Sequence, residues 1–185
     1  MKKFLVSILA LTLILTVLTG CNTVMEGFNK GIDSADTGEV QTITSSKSGL
    51  SLDFPESWKT AEMNELATIQ MALMIKEQYM MVIEEAASDF EDDFTVGEYS
   101  EIIMKNMKAA LDAAEGLEIK DATVATDLAA KQFELAGSVE KVKIKYFVTC
   151  VKNDGVFYQF ISWSIQSKYD EAKPVFENIL KSITF

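Results

Sequence analysis

The chain has 185 residues, in which 17 lysines, with no arginine, face 28 aspartates and glutamates for a formal net charge of −11, and histidine is absent. Such a surface disfavours nucleic acid, whose phosphates demand cationic partners. Without histidine neither a Ser-His-Asp nor a Cys-His arrangement can form, and the histidine-bearing zinc sets are excluded too.

The chain opens with Met1-Lys2-Lys3, continues as an uncharged run from Phe4 to Leu18, and reaches Leu18-Thr19-Gly20-Cys21. This is the order of a secretory signal: a basic start, an apolar stretch and a small-residue cleavage site. The 15 uncharged residues fall short of the roughly 20 needed to cross a bilayer as a helix, so cleavage is expected rather than a permanent span. Leu-Thr-Gly-Cys resembles the lipobox of bacterial prolipoproteins, which implies a signal peptide over residues 1–20 and a diacylglyceryl group on Cys21. Two acyl chains hold a protein stably on a membrane where one does not. The expected location is the extracytoplasmic face of the cell membrane, the outer leaflet of the cytoplasmic membrane in a Gram-positive cell. Cleavage would leave 165 residues with a formal charge of −13, enough for one domain. With Cys21 consumed by lipid, Cys150 has no disulfide partner.

Residues 21–48 are polar and rich in Gly, Ser, Thr and Asp, and read as a flexible tether ahead of a domain at 49–185. Leu50-Ser51-Leu52-Asp53-Phe54 alternates as a strand should and stops at Pro55 ahead of Trp58. Ala67 to Leu73 alternates too, although its methionines also suit a helix, and Tyr79 to Glu85 is apolar enough for a strand buried on both faces. Thr95-x-x-Glu98 is a capping box, after which Tyr99, Ile102, Ile103, Met107, Ala110 and Leu111 recur at helical spacing until Gly116. Weak strands follow at Val124–Thr126 and Gln132–Leu135, the second ending at Ala136-Gly137-Ser138, where a turn is expected. Val142 to Cys150 and Phe157 to Ile165 alternate on either side of Asn153-Asp154-Gly155, a long antiparallel hairpin. Ala172, Val175, Phe176, Ile179, Leu180 and Ile183 then mark a closing amphipathic helix that admits Pro174 near its first turn. Strands and helices in this order predict an α+β fold, an antiparallel sheet covered by helices.

Phe54-Pro55-x-x-Trp58, the Tyr79-to-Glu85 strand, Glu98-Tyr99, Asn153-Asp154-Gly155-Val156-Phe157-Tyr158-Gln159 and Phe176-x-x-Ile179-Leu180-x-Ser182-Ile183 come in an order and spacing that resemble the PsbP-like superfamily, over about Gly49 to Phe185. The resemblance implies an α/β/α sandwich around an antiparallel sheet and a non-catalytic role in binding, with no cofactor. The metal sites of its photosynthetic branch use histidine, so none carries over to this chain.

Among residues that could carry chemistry, Cys150 shares an alternating face with Val148 and Tyr146, where an inert buried thiol is the expected state. Asp89, Glu91, Asp92 and Asp93 offer the oxygen ligands calcium prefers, yet lack the EF-hand glycine at the sixth position and glutamate at the twelfth. A solvated loop is the plainer reading. Trp58, Tyr158 and Trp163 suit either a contact surface or the core, with core favoured. Most methionines fit core positions, while Met74 and Met104 fall off the pattern. The chain is expected to be a membrane-anchored binding or assembly accessory for another envelope protein and not an enzyme, the alternative being a small-ligand or calcium-binding lipoprotein.

Overall fold

The computed structural model describes residues 38–125 and 128–185; Cys21 and the signal peptide lie outside them. Strand β1 (Val40–Thr44) pairs antiparallel with β2 (Ser51–Pro55). The short β3 (Lys59–Thr60) leads to β4 (Ala67–Leu73), and a single helical turn at Met74–Lys76 reverses the chain into β5 (Gln78–Ala86). Helix α1 (Val96–Ala110) is followed by β6 (Asp112–Gly116), β7 (Lys120–Val124), β8 (Leu128–Val139), β9 (Val142–Asn153), β10 (Val156–Ile165) and helix α2 (Tyr169–Lys181). The main sheet has eight strands in the order β3-β4-β5-β10-β9-β8-β6, with β7 pairing the other half of β8. All its pairs are antiparallel.

Period-two alternation sorts the side chains of each strand onto two faces. From β10, Tyr158 and Phe160 join one apolar cluster with Leu52, Phe54 and Trp58 and with Ala172, Phe176, Ile179 and Leu180 of α2. Phe157, Ile161 and Trp163 join the other, with Tyr99, Ile103 and Met107 of α1. The sheet is therefore filled on both sides, an α/β/α sandwich as the resemblance implies. Trp58, Tyr158 and Trp163 are all buried in it. On the α2 side, Glu134 joins Lys145 of the neighbouring strand and Lys173 of the helix, each at 2.7 Å, and so ties helix to sheet. Burial works to raise the Glu134 carboxyl, but the hydrogen bonds and charges of the two lysines outweigh it and hold the group below its ordinary range.

Several boundaries differ from the sequence reading, among them β7, which ends at Val124 where a strand is expected to start. Order begins before Gly49: Val40–Thr44 lies in the expected tether yet pairs with β2, and Gln41 donates its side-chain amide to the Trp58 carbonyl at 2.7 Å. Helix α1 stops at Ala110, and Gly116 closes a strand where a helix end was expected. At Gly137, an added Cβ would sit 2.9 Å from the Leu111 Cβ, so this glycine permits close packing inside β8 and is not the expected turn. The actual turn is Glu140-Lys141, at φ of 49° and 72°, a left-handed pair built without glycine or asparagine and so without the usual signature. Helix α2 starts at Tyr169, placing Pro174 inside it. Pro174 and Asp170 are both exposed, so water can reach the Asp170 carbonyl that a proline leaves without its helical donor.

Candidate functional site

The end of the sheet where β5 leads toward α1 gathers the acidic loop and a polar network. Thr95 caps α1: its hydroxyl accepts from the Glu98 amide at 3.2 Å, and its own amide donates to Glu98 Oε2 at 2.9 Å. These bonds, the backbone one foremost, hold the Glu98 carboxyl below its ordinary value. The cap fixes the first turn of the helix and thereby aims Tyr99 at the sheet. There the Tyr99 hydroxyl donates to Glu85 Oε2, and Gln159 Nε2 donates to the same carboxyl oxygen at 2.8 Å and to the Tyr99 oxygen at 2.7 Å. Burial, reinforced by the Glu85 charge, pushes the Tyr99 hydroxyl far above the ordinary tyrosine range, so it remains a donor.

An aromatic group encloses this network. The Tyr99 ring stacks on Phe157 with centroids 4.5 Å apart, and Phe90 meets both rings edge-on at 5.6 and 5.2 Å. Phe94 stacks on Phe90 at 4.9 Å. Lys152 then lies over the Phe157 ring at 4.9 Å and donates to the Phe94 carbonyl at 2.9 Å. Phe90 and Phe94 thus act as two apolar feet for the chain between them.

That chain holds the four residues considered for calcium. Asp89, Glu91, Asp92 and Asp93 are all exposed, alternating in sequence with the inward-turned phenylalanines at either end. Among the described residues no group of three or more His, Cys, Asp or Glu side chains comes together to hold a metal. The calcium expectation for these four residues therefore finds no converging site: the aromatic feet fix the loop with its carboxylates toward solvent. Cys150 is fully buried, and desolvation pushes its thiol up to about 12, the inert state expected of it. Met104 packs against the α1 cluster, whereas Met74 stands in solvent. A shallow depression of about 570 Å³ beside Val142, Lys143, Ile165, Gln166 and Ser167 lies at the opposite end of the sheet.

Glu85, Glu98-Tyr99 and Gln159 lie in separate motifs of the sequence, and their meeting depends on strand register. Gln159 lies opposite Ile83 and Phe157 opposite Glu85 across the β5–β10 ladder, a pairing that spans more than 70 residues of chain and leaves no local mark.

No protein-family model matches the chain, and no curated protein sequence matches it. Solved structures do. Cyanobacterial PsbP (CyanoP) from Synechocystis sp. PCC 6803 superposes at a TM-score of 0.60 with 15% identity, covering 83% of this chain and 95% of that one. LpqN, involved in cell envelope biogenesis of Mycobacterium tuberculosis, superposes at 0.56 with 11% identity, covering 79% and 90%. A Pseudomonas aeruginosa protein of unknown function does so at 0.52 with 9% identity, covering 80% and 98%. At these identities the likeness is one of fold, and the fold is PsbP-like.

Proposed function

We propose that this PsbP-like chain is an extracytoplasmic lipoprotein, anchored through Cys21, that serves as a non-catalytic binding or assembly accessory for another protein of the cell envelope. The observation that carries this reading is the loop at 89–93, whose exposed carboxylates stand on Phe90, Phe94 and a capped helix. A basic partner would meet a face already held in place, with little ordering left to oppose binding. The apolar clusters on both sides of the sheet are packed with aromatic side chains, which directs recognition to the surface. That LpqN is involved in cell envelope biogenesis supports an envelope role for the shared fold. In a Gram-positive cell the anchor would hold the domain at the outer leaflet of the cytoplasmic membrane.

Capture of the tagged lipoprotein from detergent-solubilised envelope of its own host tests this. One protein should co-purify with the anchored chain, and be lost both from Cys21→Ala and from a Glu91→Lys/Asp93→Lys variant of unchanged melting temperature. Equal recovery with the charge-reversed loop would remove the loop from the interface. Repeated capture of nothing specific would overturn the accessory role, and a calcium-dependent rise in melting temperature would then favour the ligand-binding alternative.

A further inference from the structure

The turn between β4 and β5 carries Met74 and Ile75, 52% and 66% exposed, side by side at the tip of a hairpin. Neighbouring Met71 and Met80 are buried, so the alternation that serves the core ends before this tip. Adjacent large apolar side chains in water ask for a partner of their own.

The path of the chain indicates which partner. Glu39 accepts the Glu56 amide at 3.0 Å, Gln41 holds the Trp58 carbonyl, and Lys59 pairs with Ala72, two residues before Met74. The N-terminal side of the described chain therefore arrives at the same end of the sheet as the Met74-Ile75 tip, and its Val40 is exposed. Sixteen residues separate Cys21 from Gly38. Whatever their conformation, they span at most about 60 Å. At the far end, Asp89, Glu91, Asp92 and Asp93 are all exposed and would be repelled by anionic lipid. At the near end Lys59, Lys76, Lys141 and Lys143 are exposed and partly offset Glu39, Glu56, Asp112, Glu140, Asp170 and Glu171, so approach to a membrane surface is opposed less.

We infer that this end of the sheet docks on the bilayer that holds the lipid anchor, with Met74 and Ile75 inserted at the boundary of headgroups and acyl chains. The inference rests on the anchored reading above and adds an orientation to it: the acidic loop faces away from the membrane, toward the partner. The domain is then held by its acyl chains and by an apolar tip, and does not swing freely at the end of its leader.

The test uses the full lipoprotein reconstituted into phosphatidylcholine–phosphatidylglycerol vesicles, with Ile75→Cys carrying an environment-sensitive thiol dye and Asp92→Cys as the reference. Lipid occupies Cys21 in this reading and Cys150 is buried, so the dye reports the introduced site. The dye at 75 should be blue-shifted and quenched by nitroxide-bearing lipid at a depth of about 5–10 Å; the dye at 92 should stay water-like. Met74→Cys should report the same depth, which guards against a fault peculiar to one variant. Water-like emission at 74 and 75 on vesicle-bound protein would overturn the docking and leave the anchor standing. A blue shift that nitroxide lipid does not quench would mean that protein covers the tip, and would overturn it equally. Protein that fails to float with the vesicles would refute the anchor and the docking together.

Discussion

Removing one oxygen atom tests how the network beneath the acidic loop is held. In Tyr99→Phe the ring keeps its stack on Phe157 at 4.5 Å and its edge contact with Phe90 at 5.6 Å, so packing is preserved and only the hydroxyl is lost. Glu85 then loses one of its two donors, and Gln159 loses one of the two acceptors at 2.7–2.8 Å. A hydrogen bond to a charged group contributes about 1.5–3 kcal/mol. Glu85 is only partly buried and water can replace some of the loss, so the expected cost is about 1–2 kcal/mol. For a domain of this size that lowers the melting temperature by roughly 2–8 °C. Urea denaturation followed by far-UV circular dichroism at neutral pH measures it, and Gln159→Leu with the double variant completes a cycle whose coupling should be about 0.5 kcal/mol or more. A cost under about 0.5 kcal/mol, within the scatter of surface substitutions, would show that the network does not hold the loop, and the preformed-face argument would fail with it.

Other outcomes follow from the same geometry. Burial raises the Tyr99 hydroxyl and takes the Cys150 thiol from 9.0 to about 12. Because these groups ionise more readily in the unfolded chain, the stability they provide is complete below their unfolded values. It should fall as pH rises beyond about 9, at about 1.4 kcal/mol per pH unit for each group in its window, and thermal melts between pH 8 and 12 would record it. Glu134 has the opposite sign: its lowered value adds stability above 4.5 that is lost as pH falls through its folded value, and Glu134→Gln should flatten that acid limb. Thr95→Ala removes the helix cap and should cost about 1 kcal/mol, read by urea denaturation. Lys141→Gly relieves a left-handed residue at φ 72° and should raise stability by about 0.5–1 kcal/mol in the same assay.

Much of the architecture is written in local pattern. The Thr95/Glu98 pair announces helix α1 because both halves of the cap lie within four residues, and Asp154-Gly155 announces the β9–β10 turn because both residues need a positive φ. Where the determining contact is distant, the sequence is mute. Strand β1 reads as tether because Val-Gln-Thr-Ile-Thr offers little apolar face, and its order comes from the β2 backbone and the Gln41 amide. Gly137 looks like a turn residue until Leu111 is seen packed against it. Likewise, the acidic loop is visible as composition, but its aromatic footing needs Phe157, brought across the β5–β10 ladder. Met74 and Met104 both fall off the pattern in the sequence, yet Met74 is exposed at a hairpin tip while Met104 packs against the α1 cluster, so the mismatch alone does not tell them apart.

Intact-mass analysis of the chain extracted from native membranes tests the lipid anchor directly. The expected product is a mature protein beginning at Cys21 and carrying a diacylglyceryl group, with Cys21→Ala released from the membrane fraction or left unprocessed. A membrane-bound chain that keeps residues 1–20, or a mature chain whose Cys21 is unmodified, would contradict it.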